Sequence, residues 1–306
     1  PIGTFRSCYR ARCGTPRQGG IVPGSLAVLH CSRDLNPVAA LEGFEAFSHC
    51  WVLYVFHENT NLHREGRTLS KRRQKQGRVP LWQGLCMKVA PPRCPELRVG
   101  VLSCRTPHRP NPIGLSLASI VSVDAAAGKV TLAGLDIMDG TPCLDLKPYL
   151  PNFEAIPSAT VPKWVEMSYI EPRMIVEWAP AASREFDELY GIEGGLEGKK
   201  NGFTDLAPFD SAMALKGALE ETLSLDIRSP LQQKRHPNPG RKPESEEVPF
   251  FTGDLWFHEV HAMYALLPAG NGNPGEPTAR VRVERIEARA RAPSSKPEVS
   301  KESKEK

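Results

Sequence analysis

The sequence predicts a mainly β protein, an antiparallel β-barrel at the N-terminus followed by a small α+β domain. Three observations carry that expectation. Residues 1–178 hold short apolar runs rich in β-branched and aromatic residues. No long helical period separates them, which argues against an alternating parallel sheet. A dinucleotide-type glycine loop at a strand-to-helix junction is also missing. GNGNPG sits in a loose C-terminal stretch, and GGLEGKK has Lys200 where a phosphate loop needs Ser or Thr.

The strand runs are IGTFRS, SLAVLH, HCWVLYVF, LRVGVLSC, LSLASIVSV and KVTLAGLDI. DAAAGK joins the last two, and Asp124 and Gly128 supply turn chemistry, so residues 115–137 read as a hairpin. Residues 180–190 are helical in pattern, with Pro180 suited to a first turn and Gly191 at the end. Residues 211–226 form a second helix with Met213, Leu215, Leu219, Leu223 and Leu225 as its apolar positions. DLWFHEVHAMYALL is the last strand candidate. These elements divide the chain into a barrel at 1–178, a small α+β domain at 179–268, and a tail at 269–306. The tail's Gly, Pro, Ser, Lys, Arg and Glu leave it little to bury, so it is expected to be disordered.

The composition is that of a globular protein: 40% apolar, 24% charged and a net charge of +4 over 306 residues. That charge permits a nucleic-acid partner without requiring one. No run of about twenty apolar residues occurs, so no spanning helix is expected. The eight cysteines form no Cys-x-x-Cys pair and several lie in apolar runs, which reads as reduced, buried thiols of an intracellular, cytoplasmic protein. The chain starts at Pro1 rather than methionine and is read as a piece of a longer product, so a targeting signal cannot be assessed.

No metal is expected. His57-Glu58 lacks a second histidine four residues after the first, since position 61 is Asn61, and His258-Glu259 has His261 only three residues on. The densest unusual segment is RTPHRPNPIGLS, in which Pro107, Pro110 and Pro112 stiffen a loop that carries Arg105, His108 and Arg109. Such a loop can position an anionic ligand, or simply be a solvated connector. In DGTPCLDLKPYLP, Asp145 and Lys147 share one strand face and can pair with each other or hold a zwitterion. Residues 61–80 are strongly basic, with Arg64, Arg67, Lys71, Arg72, Arg73, Lys75 and Arg78 against Glu65 alone. A solvated loop and a phosphate-contacting arm both fit that pattern.

IGTFRS, TPRQGG, FSHCWVLYVFHEN, SCRTPHRPNPIGLS and DGTPCLDLKPYLP, in that order over roughly residues 1–180, resemble the TrmO family (also called YaeB or TsaA-like). The resemblance is close enough to suggest the animal version. It implies a β-barrel methyltransferase that uses S-adenosyl-L-methionine without a doubly wound sheet. It also implies a homodimer with the cofactor near the subunit interface. The implied reaction methylates the exocyclic N6 of threonylcarbamoyl-adenosine beside the anticodon of a threonine tRNA. Cofactor contacts implied by the matching strings are Pro16, Arg17, Gln18, His57, Glu58, Arg105, Leu115, Asp145, Leu146, Lys147 and Pro148. Asp145 and His57 are the candidate proton acceptors. Arg109 and the basic residues of the 61–80 segment are the candidate contacts to the tRNA anticodon loop.

Where the family carries Asp-Pro-Arg-Pro-x-Tyr, this chain reads Asp226-Ile227-Arg228-Ser229-Pro230-Leu231. The basic segment is therefore expected to carry more of the RNA contact than the C-terminal domain. Two other readings compete with the enzyme. One is a non-catalytic RNA-binding β-barrel, which would bind no cofactor. The other is a hydrolase built on His57, Glu58 and Asp145, which would depend on a metal.

Overall fold

A computed structural model describes residues 1–58, 87–91, 94, 96–167, 173–190, 206–228, 230–238, 247–269 and 279–288. Six strands close into a barrel: β1 (Gly3–Ser7), β2 (Leu26–Cys31), β3 (His49–Val55), β6 (Ile113–Asp124), β7 (Lys129–Ala133) and β8 (Pro142–Pro148). The order around it is β1-β2-β7-β6-β3-β8, and every pairing is antiparallel. Alternation along each strand fills the interior. Phe5, Ala27, Leu29, Cys50, Val52, Tyr54, Val130, Leu132 and Cys143 point inward and are buried.

The expected hairpin is present between β6 and β7. Asp124 Oδ1 accepts from the Ala127 amide at 2.8 Å, and Gly128 takes a positive φ of 63° to complete the turn. LRVGVLSC is not a barrel strand. It contributes only β5 (Val99–Gly100), which pairs with β4 (Lys88–Val89), and then a short helical turn at Val101–Ser103.

The second unit is a four-stranded sheet ordered β10-β11-β12-β9, with β9 (Ile175–Trp178), β10 (Phe251–Phe257), β11 (Val260–Pro268) and β12 (Ala279–Ala288). Three expectations are corrected here. The run read as one last strand is a hairpin that turns at His258, whose φ is +52°. Residues 279–288, assigned to a disordered tail, form β12, because ARVRVERIEA alternates apolar and charged positions and so has one face to bury. Val281, Val283 and Ile286 fill that face. β9, placed in the barrel domain by a boundary at 178, pairs in parallel with β12 and belongs to this sheet.

The helices Pro180–Tyr190 and Ala212–Leu223 pack in the same core as this sheet. Ser211 caps the second by accepting from the Ala214 amide at 3.1 Å. Its buried stripe is Ala212, Leu215, Ala218, Leu219, Thr222 and Leu223. Met213, counted among the apolar positions in the sequence, lies off that stripe and is 66% exposed.

The segment after β1 joins the two units. Tyr9 is buried in the second core and meets Phe257 edge-on at 5.6 Å. The His258 amide donates to the Cys8 carbonyl at 2.6 Å, and Arg10 pairs with Glu259. Among the described residues no helix is long and apolar enough to cross a membrane. Burial holds the thiols of Cys8, Cys50 and Cys143 up at about 12, so they stay protonated and unreactive.

Candidate active site at one mouth of the barrel

Antiparallel pairing brings the C-terminal ends of β1, β3 and β7 to the same mouth as the N-terminal ends of β2, β6 and β8. Four segments therefore meet there: residues 8–25, 56–58, 104–112 and 134–141. They carry six of the eleven expected cofactor contacts: Pro16, Arg17, Gln18, His57, Glu58 and Arg105.

The outer wall beside this mouth is ordered by strand register. Leu115 on β6, Leu53 on β3 and Asp145 on β8 are successive partners in one row. Leu117, Trp51 and Lys147 form the next row. Adjacent strands lie about 4.8 Å apart, so each row spans roughly 10 Å. Leu115 is 46% exposed on this wall. Asp145 is half-exposed: Oδ2 pairs with Lys147 Nζ at 2.9 Å and Oδ1 accepts from the Leu146 amide at 3.0 Å. Leu146 packs against the barrel core, so its backbone is what a ligand on the wall could reach. Pro148 closes β8 opposite Cys50.

His57 follows β3. Its Nδ1 lies 3.4 Å from Thr141 Oγ1, whose own hydrogen goes to the Met138 carbonyl at 2.7 Å. In the neutral ring Nδ1 is therefore the donor and Nε2 the acceptor, an assignment made from the hydrogen-bond network. Glu58 is exposed beside it. In the first loop Pro16 is buried, Arg17 exposed and Gln18 half-buried. Arg17 Nη2 donates across to the Arg228 carbonyl at 3.4 Å. Arg105 is exposed on the proline-rich loop, while Arg109 folds back and donates to the Cys104 carbonyl at 3.3 Å. Arg64, Arg67, Lys71, Arg72, Arg73 and Lys75 lie outside the described residues.

Sequence reasoning passed over three residues at this mouth. Ser116, only 2% exposed, donates from Oγ to Asp136 Oδ1 at 2.6 Å. Tyr54 Oη lies 3.5 Å from Ser116 Oγ. Burial lifts the Asp136 carboxyl above the usual carboxylate range, against the opposing pull of the Ser116 hydroxyl and the Arg105 charge. The signal was a carboxylate inside an otherwise apolar LDI run, which could have drawn attention.

Arg228 is buried at 2% exposure. It forks onto Asp226 at 2.8 and 2.6 Å, donates to Asn238 Oδ1 at 2.6 Å, and lies over the rings of Phe250 and Phe251. That makes it a structural arginine. Among the described residues no group of three His, Cys, Asp or Glu side chains is placed to hold a metal ion.

The comparisons with known proteins agree with this architecture. Residues 4–155 match the family model of the tRNA-methyltransferase O N-terminal domain. Over 157 residues the chain is 41% identical to a tRNA (adenine(37)-N6)-methyltransferase of Mus musculus, a stretch that covers 51% of this chain and 31% of the mouse protein. The chain thus spans about a third of the length of that relative. A tRNA (adenine(37)-N6)-methyltransferase of Escherichia coli is 35% identical over 190 residues, covering 61% of this chain and 69% of that protein. A crystal structure of TrmO from Pseudomonas aeruginosa superposes with a TM-score of 0.57 at 24% identity, over 94% of this chain and 97% of that one, and so shares the fold. On the family model and the length of the Escherichia coli match, the chain belongs to the tRNA-methyltransferase O family.

Proposed function

We propose that this protein is an S-adenosylmethionine-dependent tRNA methyltransferase that acts on N6 of the adenine beside the anticodon. The observation that carries the reading is the mouth itself. It gathers Arg17, Arg105 and His57 around one opening, next to a wall that presents Leu115 and the Asp145–Lys147 pair. The relatives named as tRNA (adenine(37)-N6)-methyltransferases, in Mus musculus and Escherichia coli, support the same activity. A Pseudomonas aeruginosa relative, 34% identical over 189 residues, is named a putative S-adenosylmethionine-dependent methyltransferase.

The residues fit this cofactor. Its amino-acid end is a zwitterion, which suits the guanidinium groups of Arg17 and Arg105 and the carboxylate of Asp145. Its adenine is a flat apolar surface, which suits Leu115 and Leu53. The first loop lies close over the mouth at Gly19, where a Cβ would stand a tight 3.3 Å from Ser116 Cβ. Pro16, Gln18, Glu58, Leu146 and Pro148 complete the proposed contacts.

When bound, the cofactor supplies a methyl group on a cationic sulfur, which needs no further activation. The protein's part is then to align the nucleophile and to exclude water. The target lies in a single-stranded loop, so the base can be splayed into the mouth without opening a duplex. We extend the reading to threonylcarbamoyl-adenosine in threonine tRNA, whose carbonyl substituent makes the reacting N–H more acidic, and to a homodimer. In this reading Arg64, Arg67, Lys71, Arg72, Arg73, Lys75 and Arg109 supply phosphate contacts.

The test is calorimetric titration of S-adenosylmethionine into the wild type, Asp145→Ala and Arg105→Ala. Methyl transfer to threonine tRNA with and without the threonylcarbamoyl group is then measured. Saturable binding lost in both variants, with transfer to the modified tRNA, is the expected outcome. A folded wild type that binds tRNA and no cofactor would instead be a non-catalytic RNA-binding barrel.

A further inference from the structure

The mouth contains a carboxylate with no part in the proposed cofactor contacts. Asp136 lies in the connection from β7 to β8, two residues after Gly134. Its Oδ1 accepts the Ser116 hydroxyl at 2.6 Å, and Ser116 adjoins Leu115 on the wall. The first loop rests on it: a Cβ at Gly19 would stand 3.4 Å from Asp136 Oδ1, and the Gly20 amide donates to the Gly134 carbonyl at 2.8 Å. Asp136 thus sits directly under the segment proposed to hold the cofactor, with part of its surface still open to solvent.

Its neighbours differ from it in their bonding. Asp145 is paired with Lys147 at 2.9 Å, and Asp139 with Arg6 at 3.3 Å while it also accepts from the Ser7 amide. A carboxylate held by a cation is a weakened base. Among the described residues Asp136 has no cation at ion-pair distance: its Oδ1 accepts the Ser116 hydroxyl, backbone amides at Gly19 and Asp136 add to that hold, and Arg105 acts on it only from further off. The Ser116 hydrogen is spent on Asp136, and the Tyr54 hydroxyl stands 3.5 Å from Ser116 Oγ while it also faces the Asp136 carboxyl. Burial pushes the Tyr54 phenol well above its ordinary value, which keeps that hydroxyl protonated. The result is a carboxylate faced by two hydroxyls, one from Ser116 and one from Tyr54.

We propose that Asp136 is the general base of the methyl transfer, with Ser116 and Tyr54 as its positioning residues. This rests on the methyltransferase reading. The step balances with a methyl sulfonium as the co-reactant. The N–H bond breaks and its proton passes to the Asp136 carboxylate. The nitrogen forms a bond to the methyl carbon, and the electron pair of the breaking C–S bond stays on sulfur as a neutral thioether. The charged and titratable groups acting on Asp136 are Arg105 from the proline-rich loop, Tyr54 from β3 and Tyr9 from the segment after β1. Arg105 favours the ionised carboxylate and burial disfavours it. A carboxyl lifted in this way is a stronger base than an ordinary one.

The experiment compares wild type, Asp136→Asn and Ser116→Ala in single-turnover methylation across pH. S-adenosylmethionine binding is measured by calorimetry beside it, and the Asp136 carboxyl is titrated by carbon NMR in the free protein. The wild-type rate is expected to rise through a midpoint above the ordinary carboxylate range. Asp136→Asn keeps cofactor binding within about threefold, loses a hundredfold or more in rate, on the order expected for general-base loss, and loses the midpoint. Ser116→Ala removes a hydrogen bond to the anion, so the kinetic midpoint and the NMR midpoint both move up together. An Asp136→Asn protein that methylates at the wild-type rate overturns the assignment alone. So does one that fails because it no longer binds cofactor, which would make Asp136 a binding residue. A wild type that neither binds cofactor nor methylates any tRNA overturns the underlying function and this role with it.

Discussion

Lys147 Nζ stands 2.9 Å from Asp145 Oδ2, two residues apart on one strand and on the same outward face. Both side chains keep about half their surface in water, at 63% and 45% exposure, so the pair contributes roughly 0–1 kcal/mol to stability. Asp145→Ala should therefore unfold in urea within about 1 kcal/mol of wild type. The same variant should bind S-adenosylmethionine at least tenfold more weakly. A variant that loses stability and keeps its affinity would make the pair a fold element.

Gly114 is a second sensitive point. A Cβ placed there would lie 2.2 Å from Tyr54 Cζ, inside the ring that covers it. Gly114→Ala is expected to displace Tyr54 and to destabilise the barrel by about 1–3 kcal/mol, the usual range for overpacking. Chemical denaturation measures the loss. Full stability would mean that the ring moves freely.

The Asp136 carboxyl gives a pH signature in stability. Its folded pKa is raised above 3.8 because burial disfavours the anion. Below the ordinary value both folded and unfolded forms hold the proton. As pH rises, the unfolded chain releases its proton first, so wild-type stability falls until the folded carboxyl also ionises. Asp136→Asn carries no such proton. Denaturation across pH should show the variant gaining on wild type above the ordinary carboxylate value and then levelling. Parallel curves would contradict the raised carboxyl.

Arg228 should matter for folding and not for RNA. Its guanidinium is buried against Asp226, Asn238 and two phenylalanine rings. Arg228→Ala leaves Asp226 without its cation and should cost about 3–5 kcal/mol. Charge reversal of Arg72 and Arg73 should instead leave stability alone and lower the salt dependence of tRNA binding. That slope falls by about 0.7–0.9 for each phosphate no longer neutralised. If Arg228 changed the slope and Arg72 and Arg73 did not, the RNA surface would lie on the C-terminal domain.

The barrel was legible in the sequence because its strands alternate. GTFRS, LAVLHC and HCWVLYV each bury every second residue, and Asp124 with Gly128 announced the one tight hairpin. β12 was obscured by its surroundings. Its alternation is intact, but Arg and Glu on the outer positions blended into the polar residues on either side. β10 and β11 merged into one run because the two residues of the turn, His258 and Glu259, carry no Gly or Asn signal. The candidate site was visible as strings and not as a place. Register sets Leu115 level with Asp145, and nothing local to either residue contains that information. Asp136 went unnoticed because one acidic residue between Leu135 and Ile137 has the look of an outward strand position.

The parallel pairing of β9 with β12 sets an order in time. The ribosome delivers the last barrel strand, β8, at Pro148, so the barrel can shut while most of the second unit is still unmade. β9 emerges next, yet among the described residues its sole neighbour in the sheet is β12, which ends at Ala288. Between those moments Ile175–Trp178 is an orphan edge on a growing chain, open to chaperones or to a neighbouring nascent chain. Pulsed proteolysis of stalled chains should find a protected barrel first and the second unit only near full length; simultaneous protection would argue against the order. A chain stopped at residue 268 would keep that edge permanently unmatched.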